Sequence, residues 1–107
     1  MEIFDYTGED FKAVMQFETW KIGLLRCSDR FSKHKVMERH NKTDESFVLL
    51  EGCATLYVED SVTQMEKCKV YNVKKGEWHH ITVSTDATVL VVENSDTSAE
   101  NTDKKEI

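Results

Sequence analysis

The chain has 107 residues and a formal net charge of −6, enough for one domain around one core and too acidic to neutralise nucleic-acid phosphates. No apolar run approaches the ~20 residues that a membrane helix needs, and the N-terminus, Met1-Glu2-Ile3-Phe4-Asp5-Tyr6, lacks the basic and apolar regions of a signal peptide. These features favour a cytoplasmic protein with neither nucleic acid nor membrane as partner.

From the N-terminus, Gly8 to Phe17 is the one helix candidate, with Phe11, Val14 and Met15 sharing a face. From Thr19 to Glu93 the chain reads as short strands. They are Thr19–Arg26, Lys35–His40, Ser46–Leu50, Ala54–Glu59, Lys67–Val73, Trp78–Ser84 and Thr88–Glu93, each rich in β-branched, aromatic or other apolar residues. Polar or glycine-bearing turns separate several of them, among them Asn41-Lys42-Thr43-Asp44, Glu51-Gly52 and Lys75-Gly76. Regularly spaced short strands predict an all-β antiparallel sandwich or barrel.

Phe47-Val48-Leu49-Leu50 and Val89-Leu90-Val91-Val92 are apolar on both faces. A barrel wall facing water should alternate. Either the N-terminal segment or a second subunit must therefore cover the outside, and a homodimer is expected. Asn94 to Ile107 is a polar tail, mobile or laid across the surface. Cys27, Cys53 and Cys68 are odd in number and form no C-x-x-C pair, which argues against a disulfide framework; Cys53 and Cys68 read as small buried hydrophobes.

Side chains alternate along a strand, so His34, Val36, Glu38 and His40 share one face. Glu45 follows the next turn, and if it points inward so do Phe47 and Leu49. His79, Ile81 and Val83 form another inward set, which turns His80 toward the surface or an interface. His34 lies roughly 13–20 Å from His40 along an extended strand and does not reach the same point. Trp78 and Tyr57 and Tyr71 are candidates for the pocket rim or for packing, and Trp20 reads as an anchor in a core or interface. Converging imidazoles and carboxylates suit a divalent first-row metal with open positions for a ligand; a solvated charged strand is the plain alternative.

The stretch from Glu38 to Glu45 carries a His, four residues, then a Glu, and Gly52 follows after six more residues; Lys74-Lys75-Gly76-Glu77-Trp78-His79 adds a Gly and a His. In this register the chain resembles the cupin superfamily, whose motifs run G-x5-H-x-H-x3,4-E-x6-G and G-x5-P-x-G-x2-H-x3-N. The resemblance spans about Ser32 to Val83. It departs from the motifs at Ser32, Glu38, Cys68, Lys74 and Val83, and the change of the first His to Glu38 is the largest chemically.

The resemblance implies a single-domain cupin barrel (a double-stranded β-helix, or jelly roll) over residues 1–107, with its core at about 19–93 and the polar tail at 94–107. It implies a metal set of Glu38, His40, Glu45 and His79 holding Zn²⁺, Mn²⁺ or Fe²⁺. Glu45 is also a candidate catalytic acid or base, because burial in an apolar barrel should raise its pKa. Two functions stay open. One is a metal-dependent isomerase, epimerase or lyase acting on a sugar or organic acid. The other is a metal-free module that binds or senses a small molecule.

Overall fold

Alternation along three strands sets the architecture. In β4 (Glu45–Glu51), β8 (His79–Val83) and β9 (Thr88–Asn94), every second side chain is buried. Six of those inward residues, Phe47, Leu49, Ile81, Val83, Val89 and Val91, belong to a 13-residue core. A computed structural model describes residues 1–107.

The strands form two five-stranded sheets facing each other across this core. The first runs β1 (Asp10–Phe17), β2 (Trp20–Arg26), β9, β4, β7 (Tyr71–Val73). The second runs β10 (Thr102–Glu106), β3 (Val36–His40), β8, β5 (Ala54–Val58), β6 (Ser61–Gln64). All pairings between these strands are antiparallel. This is the antiparallel two-sheet architecture expected from the strand pattern, and the jelly roll that the resemblance implies. One helical turn, α1 (Asp29–Ser32), links β2 to β3 and buries Phe31 in the core.

Gly52 and Gly76, the two motif glycines, lie at positive φ of 74° and 85°. At Gly52 a Cβ would also stand 2.6 Å from Ala87 Cα, so both backbone angle and space require glycine.

Four sequence readings need correction. Gly8–Phe17 contains a strand, not a helix. Its exposure runs in pairs, two residues in and two out, because the ladder to β2 shifts register between Ala13 and Met15. That β-bulge places an extra residue in β1 and imitates a period near four. Lys67–Val73 is mostly a loop: only Tyr71–Val73 is strand, and Cys68 is a left-handed turn residue at φ 66°. Cys53 and Cys68 are exposed rather than buried, since both fall in turns, and all three cysteines are free. The polar tail is laid on the protein, but as structure: Ala99–Asn101 is a 3₁₀ turn closed by a capping box at Ser98, and β10 pairs residue for residue with β3.

On the outer face of the first sheet Val48, Leu90 and Val92 are half-buried and Leu50 is exposed. Ile3 and Phe4 are themselves exposed, so the N-terminal segment does not bury its apolar side chains against that face.

Candidate metal centre in the barrel

Three strands carry the same inward series from apolar to ionisable: Leu49, Phe47, Glu45 on β4; Val83, Ile81, His79 on β8; Val89, Val91, Glu93 on β9. β3 adds His40 at its end. Polar side chains therefore meet at one end of the core. They line a cavity of about 290 Å³ together with Phe11, Leu25, Phe31, Lys21, Arg30 and Lys104.

The turns before β4 and β8 are bolted together. The Gly76 N–H donates to the His40 carbonyl at 2.9 Å, and the Lys75 N–H donates to Asp44 Oδ1 at 2.8 Å. The Asn72 amide donates to Asp44 Oδ2 at 3.1 Å. The Asn72 bond first, then the Lys75 N–H, hold the Asp44 carboxyl below its ordinary pKa. This brace keeps His40 and Glu45 opposite His79.

Both imidazoles bind one carboxylate oxygen. His40 Nε2 lies 3.1 Å from Glu45 Oε1, and His79 Nε2 lies 3.0 Å from the same atom. The ring centroids are 5.2 Å apart. All three residues are buried, and one ligand atom from each lies within 4.8 Å of the others. Each imidazole has its other nitrogen engaged: His40 Nδ1 with Thr102 Oγ1 at 2.9 Å, His79 Nδ1 with the Glu77 carbonyl at 3.1 Å. A carbonyl only accepts, so His79 Nδ1 carries a proton and donates it. These outer partners orient the rings as ligand-supporting groups do.

Glu45 does not behave as the apolar setting alone predicts. Burial pushes its carboxyl up, but hydrogen bonds with His40, His79 and Glu93 outweigh burial and hold it well below the carboxylate range. His79 is opposed by burial yet raised by its bond to the Glu45 carboxylate. The carboxyl that burial does raise is Glu93, pushed up to about 8 by desolvation and by the neighbouring Glu45. Two neighbouring carboxyls are thus driven in opposite directions, Glu45 toward the ionised form and Glu93 toward the protonated form. Lys21 stands 3.7 Å from Glu93.

The structure brings three of the four expected ligands together. Glu38 faces His79 across the β3–β8 ladder and lines the cavity, as its parity predicts, but it lies outside the triad. Its Oε1 is held by Arg30 at 3.4 Å and Lys104 at 3.7 Å. His80 is corrected from surface to interior. It is 8% exposed, packed between Phe31 and His34 at ring distances of 6.2 and 5.7 Å, because α1 and the segment after it fold over β8. Burial and His34 hold it below its ordinary pKa.

His34 stacks on Tyr57 at 3.8 Å and is no part of the triad. Trp78 stays outside the cavity, with Arg39 and Lys105 over its ring at 4.6 and 4.4 Å. The Tyr71 hydroxyl accepts the Glu66 N–H. Trp20 is 39% exposed beside Phe17 rather than in the core.

Comparison with solved structures finds the same fold at low sequence identity. Streptomyces PAC13 with uridine, a protein described as a nucleoside dehydratase, aligns with a TM-score of 0.72 at 6% identity over 97% of this chain and 84% of its own. A cupin-2 domain protein from Shewanella frigidimarina gives 0.67 at 18% identity, over 83% and 84%. KdgF from a Halomonas species gives 0.66 at 11% identity, over 90% of each chain. No family model matches the sequence, and no curated protein matches it.

Proposed function

We propose that this chain, which has the cupin fold, binds one divalent metal ion on His40, Glu45 and His79 and takes a small polar ligand, a sugar or organic acid, into the cavity beside it. The observation that carries the reading is the pair of outer contacts to Thr102 and Glu77. With both Nδ1 atoms engaged, both Nε2 atoms converge on Glu45. Two imidazole nitrogens and a carboxylate oxygen suit Zn²⁺, Mn²⁺ or Fe²⁺ and leave coordination positions open. A bound ion supplies Lewis acidity to a ligand oxygen.

The chain's own groups do the rest. Phe47, Phe11 and Leu25 line one side of the cavity with apolar surface, while Glu93, its carboxyl pushed up to about 8, holds and releases a proton beside the ionised Glu45. Isomerisation, epimerisation and elimination on a hydroxylated substrate all need such proton movement. The nucleoside dehydratase among the structural neighbours makes elimination a reasonable first assay.

A second reading has its own support. Glu45 Oε1 already receives both imidazoles, so the triad satisfies itself without an ion. In that reading the protein is a non-catalytic binding or sensing module.

Elemental analysis of protein purified without an affinity tag decides between them. The metal reading expects close to one ion per chain, lost in His40→Ala/His79→Ala. Protein that arrives without metal, and takes up none when Zn²⁺, Mn²⁺ and Fe²⁺ are titrated in, supports the binding module instead.

We further propose a cytoplasmic homodimer with no nucleic-acid or membrane partner. The three free cysteines fit a reducing compartment. The half-buried Val48, Leu90 and Val92, with exposed Leu50, offer an apolar face to a second copy. Light scattering should return twice the chain mass at micromolar concentration, and a monomer there would overturn the dimer.

A further inference from the structure

We infer that the ligand of this cavity carries a carboxylate, gripped by Arg30 and Lys104 at the opening while its other end faces His40, Glu45 and His79. The inference rests on the metal-site reading and adds a substrate class to it.

Three carboxylates and three cations line the cavity. Two of the acids are committed. Glu45 takes both imidazoles, and Glu93 faces Lys21, whose ammonium also donates to the Thr97 carbonyl at 3.2 Å. That leaves Glu38 with two cations on a single oxygen, Arg30 at 3.4 Å and Lys104 at 3.7 Å. Bonds between charged nitrogen and oxygen close to about 2.7–2.9 Å when both partners are fully engaged. Neither of these is closed. The other acid near Arg30 is Asp10 at 3.7 Å; it is not on the cavity wall and accepts a 2.8 Å bond from Ser28. A guanidinium has five N–H donors in a planar fork, and most of them are unspent here.

Placement points the same way. The side chains of Arg30 and Lys104 are 49% and 61% exposed, whereas that of Glu38 is 17% exposed. The cations stand outermost with the acid behind them, so an incoming anion meets positive charge first. Glu38 then keeps the two cations in position until a ligand carboxylate, which can close both contacts, joins them.

Thr97, another residue that lines the cavity, has a buried Oγ1 without a partner. Buried polar atoms are rarely left so, and a ligand hydroxyl or carbonyl would satisfy it. A cavity of about 290 Å³ has the volume of about ten liquid waters, at roughly 30 Å³ each. That suits a small hydroxy or keto acid, sugar acids included. A phosphate is the poorer fit, because its second negative charge would sit beside the carboxylates of Glu38 and Glu45.

The test is a titration of the full chain, with the metal it retains, against gluconate, galacturonate, 2-oxoglutarate and citrate. Each acid is paired with a neutral sugar, polyol or amide of the same skeleton, and inorganic phosphate runs as a separate arm. At least one acid should bind about tenfold more tightly than its neutral partner, and Arg30→Gln/Lys104→Met should erase that preference. Lys104→Met alone, on an exposed position of β10, should weaken it without disturbing α1. Four neutral partners binding as well as their acids, a double variant that keeps the preference, or phosphate outcompeting every acid would each overturn the inference. Metal content read on the same samples separates the two ideas. Metal retained without acid preference sinks only this inference, and acid preference without metal sinks only the metal reading.

Discussion

The two ends of the barrel share strands, direction and side-chain parity, yet behave as opposite materials. At one end Ala87, Val89, Ala54 and Leu49 are 0–3% exposed and belong to the apolar core. At the other, the same strands finish in Glu45, His79 and Glu93, almost as buried but ionisable. One substitution of chemical type per strand, at a fixed inward position, turns core into site. Stability and chemistry are thereby placed apart along the strands, so they should be separable by mutation.

The largest expected effect lies at the dry end. Leu49→Ala should cost about 2–5 kcal/mol in urea unfolding, from lost burial plus the cavity left behind. Metal stoichiometry should stay unchanged in the folded fraction. A Leu49→Ala protein that keeps its stability but loses metal would break the division.

Next comes Glu93. Its folded pKa, about 8, lies above the ordinary 4.5. The folded state then keeps a proton that the unfolded chain has released. Its contribution to stability is complete below about pH 4.5 and is lost as pH rises through about 8. In chelator-treated protein, Glu93→Gln should flatten this fall and exceed the parent at pH 9 by on the order of 2 kcal/mol. Urea unfolding at pH 5 and pH 9 reads it directly, and an unchanged slope would show that Glu93 ionises normally.

A smaller effect is expected at Thr102. Thr102→Val removes the partner of His40 Nδ1 while keeping the side chain's shape. Loss of such an outer partner should weaken metal affinity by about tenfold, with little change in unfolding. The smallest concerns the outer face. Leu50→Lys should move protomer stability by less than about 0.5 kcal/mol while shifting light scattering toward monomer. Equal mass for parent and variant would remove that face from any dimer.

How much of this was legible in the sequence depends on which forces shaped each part. β4, β8 and β9 were readable because burial on one face writes alternation into the residues. His40, Glu45 and His79 followed from the same parity and from their spacing to Gly52 and Gly76. Glu93 carried the same signal, two residues beyond Val91 on an inward face, and was passed over as the end of a strand. β1 was misread because a bulge shifts its phase. β10, Thr-Asp-Lys-Lys-Glu, has no apolar face: backbone pairing to β3 makes it a strand, and composition cannot show that. Glu38 was placed on the right wall, but its ion partners come from α1 and β10, two elements that local pattern does not reveal.

The pairing of β2 with β9 has a kinetic corollary. Trp20 meets Asn94 and Arg26 meets Thr88, so the first sheet closes only when distant stretches of chain find each other. Such closure is entropically slow, and β-rich domains of this kind fold in milliseconds to seconds rather than microseconds. Thr102 sits on β10, the last strand of the series, against a histidine of β3. Every residue of the buried core precedes Thr102 in the chain, so the contact that orients His40 should be among the last to form.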